Sequence, residues 1–149
     1  MNSVKRKGSG CWGLGGEALR QAQRRCCSVP FVPPSAEGRR RLEALVQRMG
    51  LTVVQGNRMG HLLGPGISKG KALATLKRHL DADQVKVLAL GDSPNDLPLL
   101  EVADVAVVVP GPDGPHPELC SGIAAGRFQL AGAPHAAGWD EAVRRILGI

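Results

Sequence analysis

The chain has 149 residues, 43% of them hydrophobic and 21% charged, a balance that suits one domain with its own core, or pieces of two, and excludes a disordered polymer. No apolar run nears the roughly 18 to 20 residues of a membrane span. The net charge of +6 is uneven: residues 1–48 hold ten Lys/Arg against three Asp/Glu, and residues 49–149 hold nine against ten. A basic first third suits acidic partners, but no Tyr, two Phe and two Trp leave few platforms for stacking bases, so no nucleic acid is expected.

The opening "MNSVKRKGSG" is basic and is not followed by the apolar segment of a secretory signal, so a cytoplasmic protein with no membrane partner is expected. Cys11, Cys26, Cys27 and Cys120 show no paired spacing and read as reduced thiols. Residues 1–25 are expected to be loosely ordered, apart from a short helix in "GEALRQAQRR". From Ser35 to Met49, Leu42, Leu45, Val46 and Met49 recur at i, i+3, i+4 and i+7, an apolar helical stripe that Gly50 ends. "LTVVQ" and "RMGHLLG" then read as two strands of a hairpin turning at Gly56-Asn57.

After Gly64-Pro65-Gly66 the pattern changes. "SKGKALATLKRHL" reads as a helix capped by Ser68, "VKVLAL" as a continuously apolar strand, "NDLPLLEVA" as a short helix and "VAVVV" as a second apolar strand. Apolar, β-branched strands separated by helices predict a parallel sheet covered on both faces. A boundary is therefore placed near residue 65, with a mixed α+β part over 26–64 and an α/β part over 65–149.

Asp92, Asn95 and Asp96 follow the strand "VKVLAL", at the edge where open parallel sheets bind ligands. Carboxylates crowded there invite a hard cation such as Mg²⁺. The alternative is that Asp92 caps the next helix and Asn95-Asp96 favour its first turn. Lys69 and Lys71 occupy the first turn of a helix, where the macrodipole disfavours cations by roughly 0.3 to 1 kcal/mol each. An anion bound at that helix start would compensate, unless the lysines simply point into water. A phosphate site beside a Mg²⁺ site suggests phosphoryl chemistry.

These residues resemble a known family. "Gly-Asp-Ser-Pro-Asn-Asp" is similar to the fourth motif of haloacid-dehalogenase-type phosphatases, and "Ser-Lys-Gly-Lys-Ala-Leu" to their third. "RRCCSVPFV", "GNRMGHLLGPGISKGKAL" and "AGAPHAAGWDEAV" resemble stretches of one branch, the mannosyl-3-phosphoglycerate phosphatases. The resemblance implies a Rossmann-like core with a parallel sheet, here its C-terminal half, preceded by the end of an α+β cap. It further implies Mg²⁺ as cofactor and a phosphorylated glycosyl-glycerate as substrate. Lys69 would bind the phosphoryl group, Asp92 would coordinate the metal, and Asn95 and Asp96 would complete the phosphate and metal shell. Ser68, which opens the same helix, would lie at the substrate, and Arg58 and His61 would grip it from the cap.

The family's Asp-x-Asp-x-Thr motif, whose first Asp attacks phosphorus and whose second serves as acid and base, has no counterpart: no Asp precedes Asp81. The expectation is a phosphatase half that does not turn over by itself, or a binding module for phosphate and Mg²⁺. A complementary N-terminal half or self-association would then cover its apolar edge.

Overall fold

The computed structural model describes residues 15–26, 28–56, 59–80 and 84–149. The turn residue Asn57, the substrate candidate Arg58, and Cys11 and Cys27 lie outside the described residues. In chain order the elements are α1 (Gly16–Gln23), β1 (Ser28–Phe31), α2 (Ala36–Arg48), β2 (Thr52–Gln55), β3 (Gly60–Leu63), α3 (Lys69–His79), β4 (Leu88–Gly91), a 3₁₀ turn (Pro94–Asp96), α4 (Leu97–Leu100), β5 (Val105–Val108), α5 (Pro117–Ala124), β6 (Gln129–Leu130) and α6 (His135–Leu147).

The first sheet is antiparallel, in the order β1-β3-β2. The expected hairpin is its β2-β3 pair, in register from Thr52 opposite Leu63 to Gln55 opposite Gly60. The strand β1 adds to the other side of β3, with Pro30 opposite His61. An edge position tolerates the proline, whose missing N–H would break a central strand. Ser35 caps α2 by accepting the Gly38 amide at 3.3 Å, and Gly50, with φ 69, ends the turn that follows. The predicted apolar stripe is only half used: Val46 is buried, but Leu45 and Met49 are 55% and 69% exposed. The reason is size. A 13-residue helix of about 20 Å lies against four-residue strands of about 13 Å, too short to cover its whole length.

The second sheet is parallel, in the order β4-β5-β6, as the apolar runs require. Its strands pair from Leu88 opposite Val105 to Gly91 opposite Val108. Alternate residues feed two cores. Ala89, Ala106 and Val108 pack with Leu100, Leu119 and Phe128 on one face. Val107 and Val109 pack with Ala131 and Ala142 on the other, against α6. The strand expected over residues 85–90 starts three residues later. Val85 is exposed, because β5 begins only at Val105 and the Asp104 carboxylate, not a strand, accepts the Val87 amide at 2.7 Å. Among the described residues Cys26 and Cys120 are free and exposed.

Candidate active site

Asp92 and Asp96 follow the carboxyl end of β4. Ser93 is the N-cap of the 3₁₀ turn, preceding Pro94 at the turn's first position. This turn folds the chain back so that Asp96 meets the start of its own loop. Its Oδ2 accepts the amides of Asp92 at 3.1 Å and Ser93 at 3.2 Å, and the Ser93 hydroxyl at 3.2 Å. Gly91 permits the approach, since a Cβ there would lie 2.5 Å from the Asp96 Cβ. The capping role for which Asp92 was a candidate therefore falls to Ser93 and Asp96, and the Asp92 carboxylate, at an exposed residue, lines the cleft beside them.

The other Asp96 oxygen accepts from Lys69, whose ammonium also reaches Asn95 Oδ1 at 3.4 Å. Lys69 is the first residue of α3, and Ser68 caps that helix by accepting the Lys71 amide at 3.2 Å. What presses α3 onto the loop is Gly70: a Cβ on it would sit 2.2 Å from the Pro98 carbonyl oxygen at the start of α4. Backbone contact of this kind is open only to glycine, and it delivers the neighbouring Lys69 to Asp96. The unfavourable cation at the helix start is thus offset in part by a buried carboxylate. Burial pushes the Asp96 carboxyl up, but hydrogen bonds from Lys69, the Asp92 amide and Ser93 outweigh it and hold the group below its ordinary value. Lys71 takes no part. Its ammonium lies beside Gly66 and lines a separate groove with Ile67, Thr75 and Leu76.

Two clefts meet at Lys69. One, of ≈ 450 Å³, is lined by Lys69, Asp92 and Asp96, by Leu90 and Gly91 of β4, and by His135, Ala136 and Trp139 of α6. The other, of ≈ 300 Å³, is lined by Ser68, Lys69 and Asn95 and, from the antiparallel sheet and the residues before it, by His61, Ser28 and Arg25. His61 is half-buried there. Burial, then the charges of Arg25 and Lys69, lower the pKa of its imidazole and favour the neutral form. The structure thus gathers Ser68, Asp92, Asn95, Asp96 and His61 around Lys69. Arg25 and Trp139 were not singled out from sequence, although each stands inside a stretch that carried the resemblance.

The arrangement offers the half-exposed Lys69 ammonium to an oxyanion, with the Asp92 carboxylate in the same cleft for a hard cation. Among the described residues no group of three His, Cys, Asp or Glu side chains is placed to hold a metal. Mg²⁺ does not require one, because it commonly binds through one or two carboxylates, substrate phosphate and water.

Residues 36–110 match the haloacid dehalogenase-like hydrolase family, half of the chain. The chain belongs to the haloacid dehalogenase-like hydrolases. It is 28% identical over 130 residues to a glucosyl-3-phosphoglycerate/mannosyl-3-phosphoglycerate phosphatase of Persephonella marina, covering 85% of this chain and 46% of that protein. It is 32% identical over 106 residues to a phosphatase of the same name from Methanococcoides burtonii, covering 70% and 38%. The chain therefore spans less than half the length of these relatives. Among solved structures, the sucrose-phosphatase of Synechocystis in complex with sucrose and phosphate superposes with a TM-score of 0.63 at 23% identity, over 83% of this chain and 53% of that one. The α/β core with its parallel sheet is thus the fold of this family.

Proposed function

We propose that this stretch forms the phosphate-holding half of a Mg²⁺-dependent phosphatase that acts on a glycosyl-3-phosphoglycerate, mannosyl or glucosyl. The observation that carries the reading is the position of Lys69, held by Asp96 and Asn95 at the carboxyl end of a parallel strand and shared by two clefts. Lys69 binds the phosphoryl oxygens and neutralises their charge. Asp92 is the residue that would hold Mg²⁺. Asp96 and Asn95 keep the lysine in place, and Ser68 with His61 faces the leaving group. When bound, Mg²⁺ supplies further positive charge against the transferring phosphoryl group.

The attacking carboxylate is not part of this proposal for the 149 residues. Of the two acids lining the larger cleft, Asp96 is fully engaged by Lys69, two amides and a hydroxyl, and Asp92 has the metal role. The stretch alone binds without turnover, and polypeptide carrying the Asp-x-Asp-x-Thr motif completes the enzyme. The same engagement of Asp96 favours a second reading, a phosphate-binding module with no hydrolytic partner.

Phosphate release from mannosyl-3-phosphoglycerate in Mg²⁺ separates these readings. The 149-residue chain should release none by itself, and release should appear when the N-terminal half of a related phosphatase is co-expressed, then vanish with Asp92→Ala. Release by the chain alone, abolished by Asp92→Ala, would overturn the division of labour. Phosphate binding without rescue by any such half would favour the module.

A further inference from the structure

We propose that Gly56 is a positioning residue for the phosphate site: the antiparallel sheet is seated on Asn95 at this glycine, and through Asn95 that seating sets how Lys69 is presented. The inference rests on the phosphate role of Lys69 proposed above and extends it to a residue with no side chain to touch a ligand.

Gly56 directly follows β2 and is buried. Its amide donates to the Met59 carbonyl at 2.9 Å, and its carbonyl accepts from Gln55 Nε2 at 2.6 Å, so both backbone groups are committed within the hairpin. Its φ lies outside the left-handed region, so the backbone conformation itself does not call for glycine. What demands glycine is room. A Cβ here would lie 3.2 Å from Asn95 Nδ2, 3.3 Å from the Met59 carbonyl oxygen and 3.6 Å from His61 Nε2.

Asn95 carries the contact onward. Its Oδ1 accepts the Ser93 hydroxyl at 2.7 Å and the Lys69 ammonium at 3.4 Å. A planar amide whose oxygen faces two donors turns its NH₂ the other way, and here that is toward Gly56. The side chain thus bridges the antiparallel sheet and the lysine. Of the atoms around Gly56, the Met59 carbonyl is tied by the Gly56 amide and His61 stands at ordinary contact distance, which leaves Asn95 to yield. Cavities of ≈ 280 and ≈ 300 Å³ adjoin the contact, one lined by Gln55 and Pro94 and the other by His61 and Asn95, so Asn95 has space to shift into. A shift of a few tenths of an ångström carries Oδ1 with it and disturbs an already long bond to Lys69.

The test is a double-mutant cycle on phosphate affinity, read by calorimetric titration of the chain with inorganic phosphate in Mg²⁺. Gly56→Ala should weaken binding about fivefold, the coupling of a contacting pair, in protein that circular dichroism shows to be folded. Asn95→Ala should weaken it as well, through the lost contact to Lys69. Adding Gly56→Ala in that background should change nothing further, because the new methyl group has no amide to push. Unchanged affinity in Gly56→Ala, or losses that multiply in the double variant, overturn the relay and leave the phosphate site standing. Should Gly56→Ala not fold, amide NMR of the unmodified chain decides: the Asn95 side-chain NH₂ and the Gly56 amide should shift with the same phosphate affinity as Lys69, and Gly56 should stay fixed in Asn95→Ala. A Gly56 amide that does not respond to phosphate, or that still responds in Asn95→Ala, overturns the assignment. Absence of phosphate binding by the unmodified chain overturns both readings.

Discussion

Gly70→Ala sets two effects against each other. Alanine is the better helix former by about 1 kcal/mol, and on propensity alone the variant should gain stability. The new Cβ, however, would lie 2.2 Å from the Pro98 carbonyl oxygen and 2.9 Å from its carbon. Contacts under 3.0 Å are essentially never made by real Cβ atoms, and the obstructing atoms belong to backbone, which cannot rotate away. Overpacking of this kind costs about 1 to 3 kcal/mol, and a backbone clash belongs at the upper end. The net loss is then about 2 kcal/mol, or a fall in Tm of about 4–8 °C for a chain of this size. Relief requires α3 to withdraw from α4, and Lys69 withdraws from Asp96 with it. Urea unfolding and scanning calorimetry should therefore show lower stability, and phosphate affinity should fall in parallel. A Tm equal to or above that of the unmodified chain would refute the close approach as the device that positions Lys69.

Other outcomes follow from the same contacts. Asp96 has a lowered folded-state pKa, so its contribution to stability is present above the unfolded carboxyl value and is lost as pH falls through the folded one. Lys69→Met should cost about 1–2 kcal/mol at pH 7, discounted because Lys69 is half exposed, and the gap should close as pH falls below the ordinary carboxyl range and through the lowered Asp96 value; a gap that does not change with pH would contradict the pairing. The His61 imidazole should titrate below 6.5, so its stability contribution is complete above 6.5 and declines as pH falls toward the folded pKa. Proton NMR should show this value rising in Arg25→Gln, and an unmoved titration would remove Arg25 from its surroundings. With β4 at a sheet edge and Leu80 and Trp139 65% and 52% exposed, sedimentation should reveal association that a complementary half suppresses. A strictly monomeric chain with a cooperative transition of roughly 5 to 15 kcal/mol would speak for a self-sufficient unit.

The parallel sheet was readable because β4 and β5 sit on covered faces, where every position is apolar and no alternation is left to misread. The lysine and the two aspartates were readable because helix starts and strand ends are set locally, by Ser68, Gly91 and Pro94. Contacts that depend on distant partners were not. Val85 has the composition of a strand but no neighbour to pair with, and Leu45 and Met49 keep helical spacing without a surface to cover. Pro30 hid β1, since only the third dimension reveals that the strand is an edge. Arg25 lies 44 positions before Lys69 and shares its cleft only after the antiparallel sheet has formed.

The most direct measurement of the central claim is residue-resolved amide NMR of the chain titrated with inorganic phosphate in Mg²⁺. The account predicts the largest shifts at Lys69, Gly70, Asp92 and Ser93, with smaller ones at Asn95 and Asp96, and their loss in Lys69→Ala. Shifts that concentrate elsewhere, at the arginines of α2 for instance, or that persist in Lys69→Ala, would contradict it.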